Sequence, residues 1–176
     1  MPDGRTSGAD SVNNVEVVRW QQFAEEAPDL ARLGRERMES QGVAMVGTLR
    51  RDGSPRISPV EPYFVGDELM LGMMWRSMKA LDLLRDARLA VHSATTDRDG
   101  LEGDFKLYGI AVPRDDPGSR AGYSDATSAR INWRPPDPFH LFAVDIHSAG
   151  YMVFGEHRLG LRWRPGGPPQ RFEVPD

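Results

Sequence analysis

Cysteine is absent from the 176 residues, which excludes disulfides, thiolate metal sites and a cysteine nucleophile. Lysine is nearly absent: of the 22 basic residues 20 are Arg, and the only lysines are Lys79 and Lys106. No apolar run approaches the ~20 residues of a membrane-spanning helix. Residues 1–14 are rich in Gly, Ser, Asp and Asn and lack the apolar centre of a signal peptide. The formal net charge of -4 lacks the basic footprint that nucleic acid requires. These absences leave a cytoplasmic, water-soluble protein with neither a nucleic-acid nor a membrane partner, long enough for one hydrophobic core. Residues 1–14 read as a disordered lead and residues 15–176 as a single domain.

Histidine is sparse too. His92, His140, His147 and His157 show no i, i+4 pair, so no metal site is expected. Asp97-Arg98-Asp99-Gly100 has acidic spacing like a calcium loop but an incomplete pattern, and reads as a solvated loop. Gly166-Gly167, flanked by prolines, lacks the strand–Gly–helix context of a nucleotide fingerprint and reads as a turn.

The chain begins with helical spacing. Trp20, Phe23, Ala24 and Ala27 predict a helix over 15–27, and Leu30, Leu33 and Met38 a second over 28–40, restarted at Pro28. From Gly42 the period becomes two. Strands are predicted over 43–49, 56–65, 68–74, 89–95, 104–112 and 139–146, with 149–154 and 158–163 extending the sheet. Asp52-Gly53 and Gly66-Asp67 supply turns. Pro59 and Pro62 inside the second strand demand an edge, a bend or a bulge. In the fifth strand Phe105, Leu107, Gly109 and Ala111 share one face, and Asp104, Lys106, Tyr108 and Ile110 the other. Residues 115–131 read as a helix, 164–169 as a loop and the last residues as a short tail. The fold class is mainly β: six or seven antiparallel strands with a few helices, closed or nearly closed into a barrel.

The most informative stretch is Met73-Met74-Trp75-Arg76-Ser77-Met78-Lys79, where a strand runs into a short helix. Ser77 is placed to cap that helix. Leu81 and Leu84, with Leu83 beside them, are expected on its buried face, and Asp82, Arg85 and Asp86 in water. The first turn of a helix offers unpaired N–H groups and partial positive charge. With Arg76, Ser77 and Lys79 around it, the helix start is a candidate phosphate seat. In a chain so biased toward Arg, Lys79 there is notable.

Residues 42–112 resemble the flavin-binding split barrel of the pyridoxamine 5'-phosphate oxidase-like superfamily. The resemblance lies in Thr48-Leu49-Arg50-Arg51-Asp52-Gly53-Ser54-Pro55-Arg56, in Gly66-Asp67-Glu68-Leu69 before a strand, and in the run from Ser77-Met78-Lys79 to Arg85-Asp86-Ala87-Arg88. Ala87 stands where that family usually has Pro. Phe139 to Ile146 and Arg162-Trp163-Arg164-Pro165-Gly166 also look like the C-terminal part of its actinobacterial branches. The resemblance implies a six- to seven-stranded split β-barrel and an FMN- or coenzyme F420-dependent oxidoreductase acting on a small organic substrate. It also implies a homodimer with the cofactor at the subunit interface. A non-catalytic flavin, haem or tetrapyrrole carrier on the same fold is the alternative.

Carried over by position, Arg56, Ile57 and Ser58 would line the ring, with Arg56 the candidate for stabilising the reduced, anionic ring. Met73 and Met74 would continue that wall, and Ser77, Met78 and Lys79 would hold the phosphate. Asp104 or Lys106 would make a polar ring contact, and Trp163 would reach in from the partner subunit. No catalytic side chain is required, because the flavin carries the chemistry. The helix around Gly118-Ser119-Arg120-Ala121-Gly122-Tyr123 does not reproduce the Tyr, Arg, Ser order by which pyridoxamine phosphate oxidases grip their substrate, so vitamin B6 phosphate is not the expected substrate.

Overall fold

The computed structural model describes residues 17–156 and 158–174. The expected disordered lead and His157 lie outside these. The first helix starts later than its spacing predicts. Residues 17–19 are not helical: the Val18 N–H donates to Asp145 Oδ1 at 2.7 Å, and the Ile146 N–H donates to the Val18 carbonyl at 2.9 Å. These partners hold the entering chain against the sheet, so helix α1 runs Trp20–Glu26. Pro28 then opens α2 (Pro28–Gln41) from its first position, and Gly42 ends it with φ 66.

The strands are β1 (Ala44–Leu49), β2 (Pro55–Val60), β3 (Pro62–Val65), β4 (Glu68–Met74), β5 (Arg88–Ser93), β6 (Asp104–Pro113), β7 (Phe139–Val153), β8 (Leu159–Trp163) and β9 (Gln170–Phe172). Helix α3 (Met78–Arg85) lies between β4 and β5, and α4 (Pro117–Ile131) between β6 and β7. The described residues thus hold nine strands against the six or seven expected. The prolines break the second strand in two, and the tail adds β9. In the other direction, the two predicted segments 139–146 and 149–154 are one continuous β7.

The pairing order is β2-β1-β5-β6-β7-β4-β3, with every pair antiparallel. Strands β2 and β3 stand at opposite ends of this order, yet only Glu61 separates them in the chain. The two edges of the sheet are therefore one bent strand, and the sheet closes into a barrel through that bend. Pro59 and Pro62 carry no N–H for a ladder, which makes the bend the natural place to break pairing. Strands β8 and β9 continue from β7 outside the closed path.

The alternation of β6 is as expected: Phe105, Leu107 and Ala111 are buried, and Tyr108 is exposed. Helices α1 and α2 pack over the interior, where Phe23, Phe105 and Trp163 are wholly or almost wholly buried. A second apolar cluster, Tyr63, Met70, Tyr123, Phe139 and Leu141, joins α4 to β3, β4 and β7. Among the described residues no helix is long and apolar enough to cross a membrane.

The β6–β7 register shifts between Tyr108 and Gly109. A Cβ at Gly109 would lie 1.9 Å from the Asp145 carbonyl oxygen, whereas one at Gly47 would meet the Ala90 Cβ at 3.6 Å. Gly109→Ala should therefore force the backbone apart and cost about 2–3 kcal/mol in urea unfolding, while Gly47→Ala should be close to neutral. Equal costs would overturn the assignment of Gly109 to the bulge.

Candidate functional site

The junction of β4 and α3 is built from backbone first. The Ser77 N–H donates to the Met74 carbonyl at 3.1 Å, and Arg76 between them adopts φ 56, in the left-handed region that a non-glycine residue enters only under constraint. The first intrahelical bond of α3 runs from the Leu81 N–H to the Ser77 carbonyl at 3.0 Å. The N–H groups of Met78, Lys79 and Ala80 precede it, at the positive end of the helix. Ser77 occupies the N-cap position, but its Oγ makes no capping bond; it is buried and has no hydrogen-bond partner. Lys79 Nζ donates to the Pro59 carbonyl at 3.2 Å, and burial pushes its pKa down. A partly buried ammonium, an unpartnered hydroxyl and three helix N–H groups thus belong to the first turn of α3.

Behind them lies a buried carboxylate. Asp82 is 2% exposed and accepts hydrogen bonds from Thr48 Oγ1 (3.0 Å), Arg56 Nε (2.6 Å) and Arg85 Nη2 (3.2 Å). Burial by itself would raise its pKa; the hydrogen bonds from Arg56, Thr48 and Arg85 together outweigh it, and the carboxyl stays below its ordinary value. Arg85 also donates to the Leu49 carbonyl. The seat is thereby locked to the β1–β2 hairpin. The expected orientation of α3 holds for Leu83 and Arg85 and fails for Leu81, Leu84 and Asp82. Ala80, Asp82 and Leu83 face inward, while Leu81 and Leu84 face outward.

The structure gathers most of the sequence-predicted site residues. Arg56, Ile57 and Ser58 lie in β2, joined to α3 through the Arg56–Asp82 and Lys79–Pro59 contacts. Ile57, Met74 and Met78 are 70%, 75% and 59% exposed, and with Trp75 they form an apolar rim around the seat. Three residues depart from the expectation. Met73 is core, at 4% exposure, so only Met74 reaches the surface. Asp104 opens β6, three strands along from β2 on the same protomer, where it faces Lys106 Nζ (3.5 Å) and His92 Nε2 (3.8 Å). Trp163 is buried in its own barrel against Phe23, with ring centroids 4.7 Å apart, and does not project to another subunit. Arg56 Nε is committed to Asp82.

Two features have no linear signal. The first is the Thr48–Arg56–Asp82–Arg85 cluster, whose members are scattered over 38 positions, from 48 to 85, and look solvent-facing one by one. The second is Trp75 stacked on His140, with centroids 4.6 Å apart and planes at 13°. Cross-strand pairing of Met73 with His140 brings them together. His140 Nε2 is buried without a partner, and burial lowers the ring's pKa.

No protein-family model matches the sequence, and no curated protein does. Solved structures do match in shape. One is a pyridoxamine 5'-phosphate oxidase-related, FMN binding protein from Nostoc punctiforme PCC 73102, at 14% identity over 84% of this chain and 96% of that one, TM-score 0.64. Another is PhzG from Burkholderia lata 383, in complex with tetrahydrophenazine-1-carboxylic acid, at 11% identity over 96% and 98%, TM-score 0.59. A third is a heme binding protein from Mycobacterium smegmatis, at 19% identity and TM-score 0.58; the match covers 75% of this chain but only 57% of that protein. What these likenesses establish is a shared fold.

Asp82→Asn should leave Arg56 and Arg85 without their counter-charge and lower stability by about 3 kcal/mol at pH 7 in urea unfolding. The carboxyl is more acidic folded than its ordinary value of 3.8. Its contribution is therefore complete above that value and lost as pH falls through the lower folded one. The gap between wild type and variant should close only below about pH 4. A gap that closes between pH 6 and 8 would contradict the ionised buried carboxylate.

Proposed function

From the split-barrel fold of the pyridoxamine 5'-phosphate oxidase-like superfamily, which this chain has, we propose that it holds FMN or coenzyme F420 by its phosphate at the start of α3. We propose further that it acts as an oxidoreductase on a small organic substrate other than vitamin B6 phosphate. The observation that carries this reading is the Ser77 hydroxyl, buried without a partner at the N-terminus of a helix. An unsatisfied buried polar group costs about 1–3 kcal/mol, and an acceptor such as a phosphate oxygen relieves it. Lys79 adds a cation already partly stripped of water. The N–H groups of Met78, Lys79 and Ala80 supply neutral donors.

A bound flavin or deazaflavin would supply hydride transfer by its own ring chemistry. The chain's part is positioning. Asp82 fixes Arg56 and with it β2, so that Ile57 and Ser58 hold their places beside the seat. The exposed side chains of Ile57, Met74, Trp75 and Met78 leave apolar surface on the elements that carry the seat. A second copy covering it, in a cytoplasmic homodimer, would exclude water from the ring's side of the seat.

The second reading is a haem or tetrapyrrole carrier. Its support is His140, whose unpartnered Nε2 lies beside Trp75 at the same rim, together with the heme binding protein among the like folds. An absorption spectrum of the purified protein and of His140→Ala separates the two: a flavin or deazaflavin band that the substitution leaves in place, or a Soret band that it shifts.

Ser77→Ala and Lys79→Ala test the seat. Ser77→Ala removes a hydroxyl that bonds nothing in the protein, so the cofactor-free variant should be as stable as wild type or slightly more stable. Both variants should weaken FMN or F420 by about 10- to 100-fold in titration, the scale of a lost hydrogen bond to a charged group. Unchanged affinity in both would remove the phosphate from this helix.

A further inference from the structure

A cavity of about 140 Å³ lies between α2, the β5–β6 loop and the paired ends of β6 and β7. None of its lining residues belongs to β2, β4 or α3, the elements that carry the phosphate seat. Its walls hold two buried polar atoms without a hydrogen-bond partner among the described residues: Arg37 Nε, a donor, and Asp104 Oδ1, an acceptor. Lys106 Nζ stands 3.5 Å from Asp104 Oδ1 and offsets its charge without a hydrogen bond, and His92 Nε2 is 3.8 Å from Oδ2. The other carboxylates of the wall are engaged. Asp97 accepts the backbone N–H groups of Asp99, Leu101 and Glu102, and Glu102 accepts Arg37 Nη2 at 2.8 Å.

Three features give the cavity a chemical character. A buried donor and a buried acceptor left unmet are costly, and a guest that answers both relieves that cost. The volume is several times the ~30 Å³ share of one water, so it admits a molecule of a few heavy atoms. The charge around it is negative: Asp97, Glu102 and Asp104 border it against Arg37 alone, and counting Lys106 does not reverse the balance. A cation is therefore favoured over an anion. The enclosing loop is also set in advance. The bonds to Asp97 shape it, and the Phe154 N–H donates to the Gly100 carbonyl at 3.0 Å, which reduces the ordering cost of binding.

We propose that this cavity binds a small protonated amine carrying a neutral oxygen, an amino alcohol in the simplest case. The ammonium donates to Asp104 Oδ1, and the oxygen accepts from Arg37 Nε. The site does not depend on the cofactor reading above.

Calorimetric titration of the full-length protein at neutral pH with ethanolamine, ethylamine and ethylene glycol tests this. Ethanolamine should bind saturably, one per chain. Ethylamine lacks the oxygen and ethylene glycol the charge, and each should bind at least about tenfold more weakly. Arg37→Lys keeps a cation for Glu102 but has no Nε–H, and Asp104→Asn keeps the shape but loses the charge. Each should retain the wild-type circular dichroism and weaken ethanolamine at least about tenfold. Lys79→Ala should leave ethanolamine binding unchanged. Absence of saturable binding, equal binding of the three compounds, affinity that survives both wall substitutions, or affinity that falls with Lys79→Ala would each overturn the site. Titration with FMN or F420 reads the α3 seat separately.

Discussion

A carboxylate enclosed in a protein must be answered by hydrogen bonds and positive charge, and Asp82 is answered from three directions. Thr48 comes from β1, Arg56 from β2 and Arg85 from one turn further along the same helix. Because the carboxylate sits near the middle of α3, satisfying it fixes the rotation of that helix. Leu81 and Leu84 are turned outward as a result, and Ser77 and Lys79 are brought against β2. The same bonds that remove the cost of a buried charge thus set the position of the helix start against β2. The apolar rim follows from this: the helix has used its inward face for a polar tie, so part of its hydrophobic surface remains for something outside the protomer.

The second constraint is the bend at Glu61. A barrel needs its first and last strands to meet, and here they are consecutive pieces of one chain. The prolines on either side of Glu61 end one ladder and begin the next. This puts the Arg56–Ser58 segment beside the β4–α3 turn although β1, β5, β6 and β7 intervene in the pairing order. The split left by β8 and β9, which run off the closed path, has a different consequence. It creates a free outer surface on β6–β8, over which residues 164–169 fold to enclose a cavity.

Much of the fold was legible along the chain. Asp52-Gly53 marked the first hairpin, the alternation through Phe105, Leu107 and Ala111 marked the buried face of β6, and Pro28 marked the restart into α2. The proposed phosphate seat has a local signal, because helix-start chemistry is local: Ser77, Lys79 and three N–H groups are within one turn. Asp82 was misread for the complementary reason. An aspartate between leucines on a short helix carries the pattern of a wetted face, and only Thr48 and Arg56, far away in sequence, make burial tolerable. Trp163 and Met73 were placed at the cofactor by resemblance alone, and the fold packs both into the core. The start of α1 was overrun because Val18 is held by Asp145, 127 positions away.

By itself, then, the sequence determined what depends on neighbours within a turn or a hairpin: the strand-rich class, the hairpins, the proline bend and the polar groups gathered at the start of α3. The tertiary structure alone decided the rotation of α3, the closure of the barrel through Glu61, the stacking of Trp75 on His140 and the cavity between α2 and the β5–β6 loop. These rest on pairs distant in the chain. Whether a charge can be buried, or an apolar side chain left exposed, is settled by the element that folds against it, and periodicity carries no record of that element.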